Sequence, residues 1–142
     1  MSSRTFSGFL HLTLKSSILT LVNNWVDYGG MDDYIIETTN ATYMNETEHT
    51  DFYTYGPIVD LFDAYAREIV TRYRNSSTIF AWELANEPLV NSYPGVAASN
   101  ASAAEITKWV ADRSAYIKSL DSQHMVCIGC VACSTSLTRR HG

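Results

Sequence analysis

The alternation of apolar and polar positions along the chain predicts three β-strands separated by two amphipathic helices. Short apolar runs at residues 18–23, 78–85 and 125–129 have the length and the β-favouring composition of buried strands. Residues 26–55 are mostly polar and contain a Gly-Gly pair, which predicts a long connecting loop. The order β-α-β-α-β implies parallel strands joined by right-handed crossovers, so the predicted fold class is α/β.

Both predicted helices have recognisable starts. Pro57 stands where proline is favoured, in the first turn of a helix. The residues after it that repeat at helical spacing and should pack on the sheet are Ile58, Leu61, Phe62, Tyr65, Ile69 and Tyr73. A capping box, Ser102 with Glu105, predicts the start of the second helix. That helix carries Ile106, Trp109, Val110, Arg113, Ile117 and Leu120.

The second predicted strand ends abruptly in Asn86, Glu87 and Pro88. Pro88 has no backbone N–H, so the strand cannot continue through it. The result is a carboxamide and a carboxylate side by side at the carboxyl end of a buried strand. In parallel α/β folds, ligands bind at this edge of the sheet. Glu83 alternates onto the same strand face as Glu87 but lies deeper, which favours a structural role for it.

The segment from Trp82 to Pro88 resembles the fourth-strand motif of glycoside hydrolase family 5, and more narrowly that of the fungal and plant endo-β-1,4-mannanases. Residues 21–31 are similar to the third strand and its loop in those enzymes, and residues 114–126 to the fourth helix and fifth strand. The three blocks occur in family order over about residues 15–128. The resemblance implies a partial TIM (β/α)8 barrel, roughly strands three to five with their helices. Residues 1–142 would form a single partial glycoside hydrolase catalytic domain, with an irregular tail at 129–142.

The resemblance also implies roles for individual residues. Glu87 would be the catalytic general acid/base, and Asn86 would bind the 2-hydroxyl of the sugar at the cleavage point. Trp25 and Asn24 would border the substrate cleft. Leu89 departs from the pattern, because these mannanases usually have arginine after the proline. The implied reaction is retaining hydrolysis of β-1,4-mannosidic bonds, with a β-mannan polysaccharide as partner and no cofactor.

A retaining glycosidase needs a second carboxylate about 5 Å from the first. The resemblance implies that this carboxylate lies on the seventh strand of the barrel, and the resemblance stops at the fifth. None of the other glutamates follows a strand in a matching sequence context: Glu37, Glu46, Glu48, Glu68, Glu83 and Glu105. We therefore expect the chain to carry only the acid/base half of the pair and to be inactive alone. Its first and last strands would have unpaired edges, which predicts marginal stability or aggregation. The irregular tail suggests a truncated gene model of a mannanase.

Charge and composition limit the other partners. The net charge of −5 argues against nucleic acid and anionic membranes, which both favour a basic face. No run approaches the ~20 apolar residues needed to span a bilayer. Four glycosylation sequons, at Asn40, Asn45, Asn75 and Asn100, fit a secreted, extracellular full-length parent. The start of this chain lacks the features of a signal peptide.

Three cysteines, Cys127, Cys130 and Cys133, form a Cys-x-x-Cys-x-x-Cys run with His141 downstream. Such an incomplete ligand set predicts no metal site. The histidines at 11, 49 and 124 are single and unclustered, so the sequence assigns them no role. Alternatives that stay open are a non-catalytic carbohydrate-binding fragment, another family 5 activity such as β-1,4-glucanase, and a small metal- or redox-active α/β protein.

Overall fold

A computed structural model of the chain describes residues 16–26, 29–39, 49–89 and 103–129. Within these ranges the strands are β1 (Ser17–Thr20), β2 (Ile79–Glu83) and β3 (Met125–Cys127). The helices are α1 (Met31–Thr39), α2 (Asp51–Thr54), α3 (Gly56–Tyr73) and α4 (Ala103–Leu120).

The three strands form one parallel sheet in the order β1-β2-β3. This confirms the parallel α/β arrangement that the β-α-β-α-β pattern predicted. Each strand is shorter than its apolar run, because the chain leaves the regular ladder before the run ends. The last pairing between the first two runs is an isolated parallel bridge from Asn23 to Asn86, beyond the ends of both strands.

The large side chains on the two faces of the sheet differ in burial. Leu19, Trp82 and Val126 are in register on one face; Trp82 is completely buried, and the other two pack against the core. Register partners in a parallel sheet project to the same side, so this face lies under the helices. On the opposite face, Ile18 and Met125 are 53% and 50% exposed. Between them in register, Ala81 on the central strand is 1% exposed, so the exposed side chains on this face belong to the two outer strands.

Helix α3 begins as predicted, with Pro57 in its first turn. Its buried stripe, however, follows every fourth position: Ile58, Phe62, Ala66 and Val70. Three residues that the periodicity assigned to the packed face, Leu61, Tyr65 and Tyr73, are exposed. The contacts of α3 with α1, α2 and α4 set its rotation, so the small Ala66 is buried where large side chains were expected.

The predicted loop at 26–55 is wrong, because α1 and α2 both lie inside it. Most residues there are polar, but Met31, Ile35, Phe52 and Tyr53 are all buried. The rings of Phe52 and Tyr53 lie 5.5 and 5.6 Å from that of Trp109 on α4, centroid to centroid. Burial of these large aromatic rings stabilises a segment whose overall composition is polar.

Asp121, which follows α4, links the side chain of Trp82 in β2 to the residues just before β3. Its Oδ2 accepts hydrogen bonds from Trp82 Nε1 at 2.8 Å and from His124 Nδ1 at 2.6 Å. The other ring nitrogen of His124 lies 3.2 Å from the carbonyl oxygen of Ser76, just before β2. Burial by itself raises the pKa of Asp121, but the bonds from Trp82 and His124 and two backbone N–H groups lower it to about 2. The prediction that His124 is unclustered is therefore wrong.

Candidate functional site

The carboxyl ends of β1 and β2 are held together by hydrogen bonds that continue past the ladder. Asn86 N donates to Val22 O at 2.9 Å, and Asn24 N donates to Asn86 O at 3.1 Å. The side chains add a third bond, in which Asn86 Nδ2 donates to Asn23 Oδ1 at 3.0 Å. The Asn86 side chain is thus fixed at this edge of the sheet.

Glu87 has a left-handed backbone, with φ of 48°, and among the described residues it is the non-glycine residue with a positive φ. This region costs free energy for a residue with a Cβ, and such residues concentrate at functional sites. The indole Nε1 of Trp25 donates a 2.6 Å hydrogen bond to Glu87 Oε2. Within the described residues, the hydrogen bond that fixes the Glu87 carboxyl group is therefore made to Oε2.

Trp25 owes its position to a close turn at the end of β1. Met31 N donates to Asn23 O at 2.9 Å and closes the loop. A Cβ built on Gly30 would lie 2.0 Å from the backbone oxygen of Trp25 and 3.1 Å from that of Asn23. Only glycine permits this approach. The Gly-Gly pair that predicted a loop therefore marks the point where α1 closes against Trp25.

Three of the four residues predicted to form the site lie together at this edge: Glu87, Asn86 and Trp25. Asn24, the fourth, is completely buried directly beneath them. Its Oδ1 accepts the backbone N–H of Leu89 at 2.9 Å. The predicted contact between Asn24 and substrate stays a prediction, while its burial in this structure favours a supporting role.

His49, to which the sequence assigned no role, is part of this support. It is completely buried, with Nε2 3.1 Å from Asn24 Oδ1 and Nδ1 2.5 Å from Asp32 Oδ1. Asp32 lies in the first turn of α1 and is 3% exposed. The members of this cluster are 17 and 25 residues apart in sequence. No local motif could reveal it, because two of its residues lie in the stretch predicted to be a loop.

Leu89 is held through its backbone on both sides. In addition to the bond to Asn24, its carbonyl oxygen accepts a 2.7 Å hydrogen bond from the Tyr53 hydroxyl. Burial raises the pKa of Tyr53 strongly, so its hydroxyl remains a donor at neutral pH. The position where the sequence departs from the mannanase pattern is therefore anchored without an arginine side chain.

Glu83 lies deeper in the sheet, on the same face as Ala81, and pairs in register with Thr20 and Cys127. Its Oε1 accepts a 3.2 Å hydrogen bond from Thr20 Oγ1. A Cβ on Gly129 would lie 2.7 Å from the same oxygen. Burial, and then the charge of Glu83, raise the pKa of the Cys127 thiol.

The described residues contain no group of three or more potential metal ligands. Cys127 is a free thiol there, while Cys130, Cys133 and His141 lie outside the described residues. No helix in the described ranges combines the length and apolar character required to cross a membrane.

Residues 11–139 match the profile described as glycoside hydrolase family 5 beta-mannosidase-like. The match extends past residue 128, where the three sequence blocks ended. Among curated proteins, the chain is 46% identical over 112 residues to a probable mannan endo-1,4-beta-mannosidase F of Emericella nidulans. It is 41% identical over 112 residues to mannan endo-1,4-beta-mannosidase A of Aspergillus aculeatus. These alignments include 79% of this chain but only 23% and 26% of the two relatives.

Solved structures give the same result. An endo-1,4-beta-mannanase from Rhizomucor miehei matches with a TM-score of 0.68 and 42% identity, over 81% of this chain and 33% of that one. The endo-1,4-beta-D-mannanase of Thermotoga petrophila matches with a TM-score of 0.65 and 34% identity, over 81% and 31%. The chain thus spans about a quarter of its curated relatives and a third of these structures. Together with the matched profile, the similarity shows that the chain belongs to the mannosidase-like members of glycoside hydrolase family 5.

Proposed function

We propose that this chain forms part of an endo-acting glycoside hydrolase that cleaves β-1,4-mannosidic bonds in mannan-type polysaccharides. The observation that carries the proposal is the arrangement of Glu87 beside Asn86 and Trp25 at the carboxyl ends of two parallel strands. Relatives named as mannan endo-1,4-beta-mannosidases support the choice of mannan. The proposed architecture is part of a TIM (β/α)8 barrel, with β1, β2 and β3 as strands three to five.

In the proposed mechanism Glu87 acts as general acid and then as general base. Its carboxyl group would protonate the glycosidic oxygen as a nucleophile attacks the anomeric carbon, and would then deprotonate the water that releases the sugar. The bond from Trp25 Nε1 to Oε2 suits both steps. It fixes the orientation of the carboxyl group and leaves Oε1 to carry the transferred proton.

Asn86 would bind the substrate next to the reacting bond. One hydrogen of its Nδ2 is used by Asn23 Oδ1. The amide oxygen and the second hydrogen can face the 2-hydroxyl of the sugar, which both donates and accepts hydrogen bonds. A hydrogen bond to this hydroxyl that strengthens in the transition state contributes several kcal/mol in glycoside hydrolysis.

The second carboxylate of the pair is not at the ends of the described strands, where β1 leads into Asn23 and β3 into Gly129. We propose that a part of the barrel outside this chain supplies the nucleophile. The isolated 142-residue chain should then release no more reducing sugar from mannan than its Glu87→Gln variant. Turnover that the substitution abolishes would mean that the nucleophile is present in this chain.

A chimera with a longer relative tests the proposed hydrolytic activity. The aligned segment of the Aspergillus aculeatus relative would be replaced by that of this chain, and mannan hydrolysis measured. We expect turnover, and a loss of about 10² to 10⁴-fold in the Glu87→Gln chimera, the usual contribution of a general acid/base. Glu68→Gln, an exposed carboxylate on α3, is the matched control and should retain activity. Equal activity in the two variants would contradict the proposal.

Substrate choice can be tested by binding. The 142-residue chain would be titrated with mannohexaose and cellohexaose, and the indole N–H resonance of Trp25 followed by NMR. Tighter binding of the mannose oligomer favours a mannanase. Tighter binding of the glucose oligomer would favour a β-1,4-glucanase instead.

We also propose an extracellular location for the full-length parent. Asn75 and Ser77 of the described sequon are exposed just after α3 ends at Tyr73. The sequons at Asn40, Asn45 and Asn100 begin outside the described residues. In a secreting fungal host we expect a glycosidase-sensitive mass increase that Asn75→Gln reduces by one glycan.

A further inference from the structure

The buried cluster beneath Glu87 contains a histidine for which the proposed catalytic cycle has no use. His49 is 0% exposed, as is Asn24, and both ring nitrogens face oxygen atoms. Burying an ionisable side chain is costly unless it is hydrogen-bonded. His49 contacts Asp32 of α1 on one side and, through Asn24, is linked to Leu89 on the other. The cluster therefore connects α1 with the segment that follows Glu87.

The directions of these hydrogen bonds can be assigned from donor and acceptor chemistry. The backbone N–H of Leu89 can only donate, so the Asn24 atom it contacts at 2.9 Å is the amide oxygen. The same oxygen lies 3.1 Å from His49 Nε2, which must therefore carry a proton and donate. A single proton, on His49 Nδ1 or on the carboxyl, then joins His49 to Asp32. The orientation of the Asn24 amide thus requires a proton on His49 Nε2.

The series from Asp32 through His49 and Asn24 ends on the backbone of Leu89, two residues after Glu87. Since Pro88 has no N–H, the first backbone donor after Glu87 is that of Leu89. The strained backbone at Glu87 therefore lies between two anchors. Asn86 is tied to β1 on one side, and Leu89 is tied to Asn24 on the other. A left-handed residue persists when its surroundings hold it from both sides.

We propose that His49 is a positioning residue for Glu87: its Nε2–H fixes the Asn24 amide, which holds Leu89 and with it the turn that presents the Glu87 carboxyl group to Trp25. The inference rests on the proposed function, in which Glu87 is the acid/base. Asp32 orients the His49 ring from α1. The cluster therefore transmits the position of α1 to the catalytic turn, although no atom of His49 reaches the surface.

The first test is the tautomer in the unmodified 142-residue chain. Nitrogen-15 NMR of the imidazole ring distinguishes a protonated from an unprotonated Nε2. We expect a proton on Nε2 of His49. A ring protonated only on Nδ1 would overturn the proposal, because it cannot donate to Asn24.

The second test compares two substitutions of the same chemical type. In His49→Gln the amide nitrogen can occupy the place of Nε2 and donate to Asn24, whereas the shorter His49→Asn reaches only the place of Nδ1. Hydrogen exchange of the Leu89 amide and the indole N–H resonance of Trp25 report the two ends of the turn. We expect His49→Gln to stay within threefold of the unsubstituted exchange rate, and His49→Asn to exchange at least tenfold faster with a shifted indole resonance.

His124→Ala is the control for general destabilisation. It breaks the other histidine–aspartate pair, which touches neither Leu89 nor Trp25, so the exchange rate of Leu89 relative to that of Phe80 in β2 should not change. Indistinguishable behaviour of the Gln and Asn variants would overturn the positioning role. All these readouts are conformational, so they remain valid if the Glu87→Gln chimera shows that Glu87 is not the acid/base. That outcome would refute the proposed function and leave the anchoring of Leu89 intact.

Discussion

Two histidine–aspartate pairs lie at opposite ends of the same sheet and differ in burial: His49, Asp32 and Asp121 are buried, whereas His124 is half-buried. His124 and Asp121 lie at the amino-terminal ends of β2 and β3 and join secondary-structure elements to one another. His49 and Asp32 lie beyond the carboxyl end of β1 and hold the turn that carries Glu87. In both pairs an imidazole Nδ1 lies within hydrogen-bond distance of an aspartate oxygen. The pairs differ in what they hold: His124 and Asp121 contact residues of the sheet and its connections, whereas His49 is linked through Asn24 to the segment next to Glu87.

The two pairs also differ in how they are built along the chain. Asp121 and His124 are three residues apart, and two backbone N–H groups of the same turn bind Asp121 Oδ1. Three of the groups that contact this carboxylate thus come from residues two or three positions away. Asp32 and His49 are 17 residues apart, and the cluster is completed by Leu89, 65 residues from Asn24. The pair near the site therefore depends on the tertiary fold, which makes its effects the stronger test of this comparison.

Removal of the Asp32 carboxylate should have the largest effect on stability. In Asp32→Ala the buried His49 loses its partner, and breaking a buried pair by removing one member costs about 3–5 kcal/mol. Urea unfolding followed by tryptophan fluorescence measures the loss. Asp33→Ala, at the exposed neighbouring position on α1, should cost less than about 1 kcal/mol. Equal losses in the two variants would mean that the buried pair contributes no more than a surface charge.

Adding a Cβ at Gly30 should displace Trp25 and so disturb the site. In Gly30→Ala the new methyl group would lie 2.0 Å from the Trp25 oxygen, so the loop must move. We expect a loss of up to about 3 kcal/mol, as in other overpacked sites, and loss of the Trp25 to Glu87 hydrogen bond in the NMR spectrum. Gly56→Ala is the control, because nothing lies within 4 Å of a Cβ there. An unchanged Trp25 resonance in Gly30→Ala would contradict the close approach.

The His124–Asp121 pair should make the unfolding free energy of the chain depend on pH. The pKa of Asp121 is lowered from 3.8 to about 2 in the folded chain. The ionised carboxylate therefore contributes stability that is complete above about pH 4 and is lost as the pH falls toward 2. Asp121→Asn should lose about 2 kcal/mol at pH 7, and its unfolding free energy should approach that of the unsubstituted chain in acid. A difference that is constant from pH 7 to pH 2 would contradict this linkage.

The smallest expected effect is that of Trp25→Phe, which keeps a ring in place but removes the indole N–H. Glu87 would lose the bond to Oε2 while the cluster beneath it stays intact. In the chimera with the Aspergillus aculeatus relative we expect kcat to fall about tenfold, equivalent to 1.4 kcal/mol, with KM changed less than threefold. A change confined to KM would indicate that Trp25 acts on substrate binding instead of on the carboxyl group.

Much of the fold could be predicted because its determinants are local. The turn at Pro88, the proline in the first turn of α3 and the glutamate in the first turn of α4 each act within a few residues, while Ser102 of the predicted capping box lies outside the described residues. The segment at 26–55 could not be predicted, because its helices are stabilised by distant partners. Phe52 and Tyr53 are buried against Trp109, more than fifty residues away, and the helical face of α3 was misassigned for the same reason.

The sequence by itself determined the family, the parallel order of the strands and the proximity of Asn86 to Glu87, since a motif of adjacent residues carries its own geometry. Tertiary structure alone decided what surrounds that motif. It brought Trp25 to Glu87 across 62 positions, buried Asn24 beneath them and gave His49 two partners. The physical reason is that a hydrogen bond requires two groups within about 3 Å, and between residues so far apart in sequence only the packing of α1 and α2 against the sheet provides that distance.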